Sequence, residues 1–270
     1  MRKMARFMAK HGGFVTVVGM IVLFVSWCVI GDAFSFPDWL TYTLAAVFVF
    51  FWVLLTITAS TYLLKESLEV LKNQCDPYPF LEEMTQQRTY PGNDAVKQIR
   101  EIDYALALRC VGEYEKAFAL LSSINIDKHA GMLPNTKVVY YNNLFDLCAL
   151  MGKHQEAVIW YEKTAQIFGD MPPGKVKESL RNTVESNRAT MYFCKGEYEQ
   201  ALQALGQVKV ENLNDRIENA MMYARVYLAM GEAEKAVRPL TFVAGSGNKL
   251  YFAEEARRLL EKIQAEEAAV

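Results

Sequence analysis

The residues in this sequence best equipped for chemistry are its five cysteines, Cys28, Cys75, Cys110, Cys148 and Cys194. A thiolate attacks carbonyl carbon or binds zinc when a base or further thiols stand beside it. The odd count, the wide spacing and the absence of any CxxC argue against both a zinc site and a disulfide framework. They read as reduced, mostly buried thiols in a cytosolic compartment. His11, His129 and His154 are equally scattered. The acid pairs Glu82-Glu83 and Glu254-Glu255 have the right chemistry for proton transfer. Adjacent residues on a helix point to different parts of its surface, so these pairs read as solvated. Gly245-Ser-Gly247 has the start of a phosphate loop but lies between two helical stretches, where it reads as a flexible turn. No GxSxG, P-loop, HExxH or GxGxxG is present. The expectation is a protein that is not an enzyme and has no cofactor and no metal.

The elements that position residues are of two kinds, and charge separates them. The 270 residues carry a net charge of −2. Residues 1–64 hold Arg2, Lys3, Arg6 and Lys10 against Asp32 and Asp38. The remainder is mildly acidic and has no basic run, which argues against nucleic acid as a partner.

Residues 12–31 and 39–64 are free of charge and rich in Val, Ile, Leu, Phe and Trp. As helices they reach about 30 and 39 Å, enough to cross a hydrocarbon core of about 30 Å. Trp39, Tyr42 and Tyr62 suit the interfaces. The connector 32–38 carries Pro37 and two aspartates and reads as a polar turn. Basic residues precede the first run, none lies in the connector, and Lys65 and Lys72 follow the second. The positive-inside rule therefore predicts a two-pass hairpin with the N-terminus and everything after residue 64 in the cytoplasm. A cleaved signal peptide is the alternative for the first run; the second would then act as a stop-transfer anchor, with the same outcome for the rest. No ionisable side chain lies within either run, so the hairpin reads as an anchor in the lipid bilayer.

Residues 65–93 read as a juxtamembrane helix and linker. Asp76 can cap a helix with Pro77 at its first position, and Asn93 or Asp94 can cap the next. A repeat follows. Four glycines are each followed by an alanine five residues later: Gly112 and Ala117, Gly152 and Ala157, Gly196 and Ala201, Gly231 and Ala236. An aromatic or small side chain lies between, except at His154. Each pair sits between two apolar helical patterns. A left-handed glycine ends one helix cheaply, and the alanine lets the antiparallel partner approach closely. Such pairs bury their faces by stacking. Residues 249–267 have one apolar side (Leu250, Phe252, Ala256, Leu259, Leu260, Ile263) and read as a capping helix, with a free coiled-coil arm as the alternative.

This pattern resembles the tetratricopeptide repeat over roughly residues 94–245. The family's first helix carries a bulky, a small and a bulky residue before the turn; Tyr104, Ala105 and Leu108 match, as do Tyr223, Ala224 and Tyr227. Phe145 and Arg188 depart from it. With the uncharged runs, the resemblance completes an all-α reading: a transmembrane hairpin over 1–64, a linker over 65–93, and an α-solenoid of about four helix pairs with a cap over 94–270. It implies a partner groove lined by Asn142, Asn143, Asp146, Asn187, Thr190, Met221 and Arg225. Asn143 and Asn187 could instead only bridge helices. Ile102, Leu106, Thr183 and Asn187 stand where one subfamily has a cationic clamp for peptide C-termini, so that ligand is not expected. The function implied is a membrane-anchored scaffold binding a protein or peptide. The alternative is an accessory subunit of a membrane enzyme or transporter complex, with the hairpin as its interface.

Overall fold

The computed structural model describes residues 38–128 and 132–268, with Gly19 and Ile21; several side chains between 38 and 60, and that of 267, lie outside the description. Arg2, Lys3, Arg6, Lys10, the run 12–31, the connector and His129 therefore lie outside the described residues. Those described are all-α, with no strand. The helices are α1 (Asp38–Gln74), α2 (Tyr78–Gln87), α3 (Asp94–Cys110), α4 (Tyr114–Ser122), α5 (Pro134–Leu150), α6 (His154–Asp170), α7 (Lys175–Cys194), α8 (Tyr198–Leu205), α9 (Leu213–Ala229), α10 (Ala233–Ser246) and α11 (Tyr251–Ala268).

The chain divides into two compact units, residues 1–68 with 89–91, and residues 69–88 with 92–270. In the first, α1 carries exposed Trp39, Val47, Phe50, Phe51 and Leu54. Among the described residues no helix is long and apolar enough to cross a membrane.

The second unit includes most of residues 65–93. Phe80 and Met84 of α2 are buried, and so is Cys75. Arg88 donates to Glu101 at 2.9 Å and lies 4.3 Å from the Tyr104 ring centre. Apolar residues on the linker helix thus join the core. Asp76 accepts from the Tyr78 N–H at 3.1 Å, and Asn93 accepts from the Val96 N–H at 3.0 Å, as capping requires.

From α3 to α10 the helices form antiparallel pairs, and neighbouring pairs stack. The turns inside the pairs share one geometry. Gly112, Gly152, Gly196 and Gly231 have φ of 83°, 72°, 77° and 76°. In each, the next residue's N–H reaches back to a carbonyl of the last helical turn: Glu113 to Leu108, Lys153 to Cys148, Glu197 to Tyr192 and Glu232 to Tyr227. This six-to-one bond closes the helix and satisfies a carbonyl that would otherwise be orphaned. Ala117, Ala157, Ala201 and Ala236 are all fully buried. Ala157 packs among Phe145, Cys148 and Met191, with Trp160 and Tyr161 at the edge. Ala157→Leu is expected to cost about 1–3 kcal/mol by overpacking this layer. A thermal melt of the full chain checks it, and an unchanged midpoint would show that the layer has room.

One expectation at the C-terminus is corrected. Gly245-Ser-Gly247 is not a turn: α10 runs through Gly245 and Ser246, and the left-handed residue is Asn248 at φ 47°. A Cβ at Gly247 would press on the Val243 carbonyl at 2.7 Å, which explains glycine there. The last helix also does more than cover one end. Lys249 pairs with Asp76 at 2.6 Å, and Asn248 Nδ2 donates to the Gln74 carbonyl at 2.7 Å. Tyr251 lies edge-on to Tyr114, 5.4 Å between ring centres, where a Cβ on Gly112 would otherwise sit. The final helix therefore starts beside the first helix pair.

Candidate functional site

The first helices of the pairs, α3, α5, α7 and α9, together with α11, surround a cavity of about 90 Å³ on their inner faces. Asp146, Asn187, Thr190, Met221 and Arg225, all expected in the groove, line it. Asn142 and Asn143 do not. Asn142 is buried behind the wall; it accepts from Asn187 Nδ2 at 2.5 Å and donates to Asp146 Oδ2 at 3.4 Å. Asn187 thus bridges α5 and α7 and still reaches the cavity. Asn143 is buried, and its Nδ2 has no hydrogen-bond acceptor.

Arg109 was not expected there, and it organises the polar end. Its Nη1 lies 3.6 Å from Asp146 Oδ2, and its Nη2 donates to Glu218 Oε1 at 3.2 Å. One guanidinium on α3 thereby ties α5 and α9. Burial opposes its charge, but Glu218 and Asp146 outweigh that and hold its pKa above the ordinary value. Asp146 has the opposite balance. Burial pushes its carboxyl up to about 6; Arg109 lowers it in part and Glu218 raises it further. Arg225 spans to the last helix, with Nη2 2.8 and 2.9 Å from the two oxygens of Glu255. Glu255 is therefore paired rather than solvated. Glu83, from the other acid pair expected to be solvated, is buried and accepts from Gln87 Nε2 at 3.0 Å.

The far wall of the cavity is apolar: Leu150, Met221, Met222 and Phe252. Thr190 Oγ1 lies 3.6 Å from Met222 Sδ between the two ends. An extended peptide along this face would have to displace Phe252 and break the Arg225–Glu255 pair. The space as it stands suits a side chain or a small molecule.

Among the described residues the thiols do not form a reactive centre. Cys75, Cys110, Cys148 and Cys194 are free. Burial pushes the first three up to about 11 and Cys194 to about 12, so none is a thiolate at neutral pH. His154 stands edge-on to Phe193 at 5.5 Å, as a packing residue. Among the described residues no group of His, Cys, Asp or Glu could hold a metal ion. No family model, no curated protein and no solved structure matches this chain.

Proposed function

We propose that this chain is a membrane-tethered adaptor of the tetratricopeptide type, which holds a non-catalytic helical-repeat domain at the cytoplasmic face and recruits a protein or peptide partner there. The observation that carries the reading is convergence: five groove residues named from the repeat pattern lie on one inner cavity. The tether is a reading of the sequence alone, from the uncharged runs 12–31 and 39–64. Partner recognition in this reading uses the cavity and its rim, with Asn187, Thr190 and Arg225 as contacts.

The tether is tested by labelling. With the native cysteines replaced, Asp32→Cys is expected to react with an impermeant maleimide on intact cells, and Ser122→Cys only after lysis. Labelling of Ser122→Cys in intact cells would place the repeats outside and remove the cytosolic-partner reading. A second reading, an accessory subunit that binds through its membrane hairpin, is favoured by the exposed Trp39, Val47, Phe50, Phe51 and Leu54. A partner captured by the wild type and lost with Asn187→Ala and Arg225→Ala supports the groove; one retained by both supports the hairpin.

A further inference from the structure

We propose that the inner cavity is a binding site for an ammonium group carried on a short aliphatic stem. The proposal does not need the adaptor reading, because a free amine would satisfy it. Charge is the first argument. Arg109 and Arg225 face Asp146, Glu218 and Glu255, which leaves one negative charge in excess at the polar end. Each guanidinium has a carboxylate partner, and although the buried Arg109 Nε–H has no acceptor, an anion would enter a net negative field.

The second argument is the set of oxygens left over. Asp146 Oδ2 takes Arg109 and the Asn142 amide, while Oδ1 has no hydrogen bond. Glu218 Oε1 takes Arg109 and Asn214 Nδ2, while Oε2 has none. Neither open oxygen is among the buried atoms lacking a partner, so both keep some exposure, on residues that line the cavity. Asn187 gives one of its two amide hydrogens to Asn142, and its oxygen accepts no hydrogen bond. An ammonium has three donors in a compact head, and it matches two carboxylate oxygens and an amide oxygen. A bare metal ion is less well served, since no group of ligating side chains is assembled here among the described residues.

The third argument is the opposite wall. Met221, Met222, Leu150 and Phe252 give a stem of a few carbons somewhere to leave water, and methionines adapt to irregular shapes. Burial raises the Asp146 carboxyl and Arg109 offsets this only in part, so a second cation beside it would be favoured. Two sources share this chemistry, a free alkylamine and the side chain of a partner's lysine.

The test is isothermal titration of the full chain in detergent at pH 7.5 with n-butylamine, n-butanol, and a glycine-flanked pentapeptide containing one lysine. The expected result is saturable binding of n-butylamine, none of n-butanol, and at least a tenfold loss of affinity in both Asp146→Asn and Glu218→Gln. Circular dichroism of the variants confirms that they are folded. Amine binding without peptide binding assigns the site to a free amine; binding of both assigns it to a lysine as well. No binding of n-butylamine, equal binding of the alcohol, or unchanged affinity in both variants would overturn the proposal.

Discussion

Arg109→Met is expected to destabilise the repeat unit by about 3 kcal/mol at pH 7.5, and to lower its thermal midpoint by about 6–12 °C for a unit of this size. The loss of packing is small, because methionine replaces much of the aliphatic stem. The effect comes from the two carboxylates left behind. Removing one partner of a buried ion pair leaves an uncompensated charge, and here one guanidinium serves two acids. Asp146 is 16% exposed and stays in the wall of the cavity. Glu218 is 36% exposed and recovers part of its hydration, which keeps the figure at the low end. The same substitution at Arg225 strands only Glu255 and is expected to cost less. Melts at two pH values separate charge from packing. If the deficit arises from stranded carboxylates, it shrinks at pH 5, where Asp146 takes up a proton. A deficit of equal size at both pH values would show that the methionine packs badly and that the ion pairs contribute little.

Arg109 also shows what could and could not be read beforehand. The turns were legible because each needs a residue with positive φ and a small side chain at a fixed offset, and a sequence records both directly. The buried Ala117, Ala157, Ala201 and Ala236 sit where that offset places them. The inner face was legible in part. Asp146, Thr190 and Arg225 stand at equal distances before their turn glycines and all reach the cavity. Asn143 is buried although Asn187, at the same distance before its turn glycine, lines the cavity, so repeat position alone does not fix which side chains reach it. Arg109 is the single charged residue between Asp103 and Glu113. That isolation in an apolar stretch was a signal, but its partners lie on α5 and α9, and only the stacking of the pairs brings them together. The return of the last helix to the first pair was not legible either. It depends on Asn248 turning the chain so that Lys249 meets Asp76, a contact between residues 173 positions apart.

Asp146→Asn is expected to do the reverse of Arg109→Met and raise the stability of the unliganded protein at pH 7.5. Burial lifts the Asp146 carboxyl to about 6, from an ordinary value of 3.8. A carboxyl with a folded pKa above its unfolded one costs stability when ionised. The cost is fully present above pH 6, and is relieved as the pH falls through 6 toward 3.8, below which both states are protonated. About two pKa units set an upper limit of about 3 kcal/mol on the gain from removing the charge. Some of that is returned through the lost attraction to Arg109, so a rise of about 2–6 °C is the working expectation. The gain should fade below pH 5, because protonated aspartate and asparagine are then alike in charge. In the double variant with Arg109→Met, Asp146→Asn should restore part of the lost stability, since it removes one of the two stranded charges. A lower midpoint for Asp146→Asn at pH 7.5 would mean that the ion pair outweighs burial, and that the carboxylate is kept for folding alone. A higher one would mean that a stability cost is carried at a cavity wall, which is where a binding site places its strain. Saturating n-butylamine should then raise the wild-type midpoint and leave that of Asp146→Asn where it is.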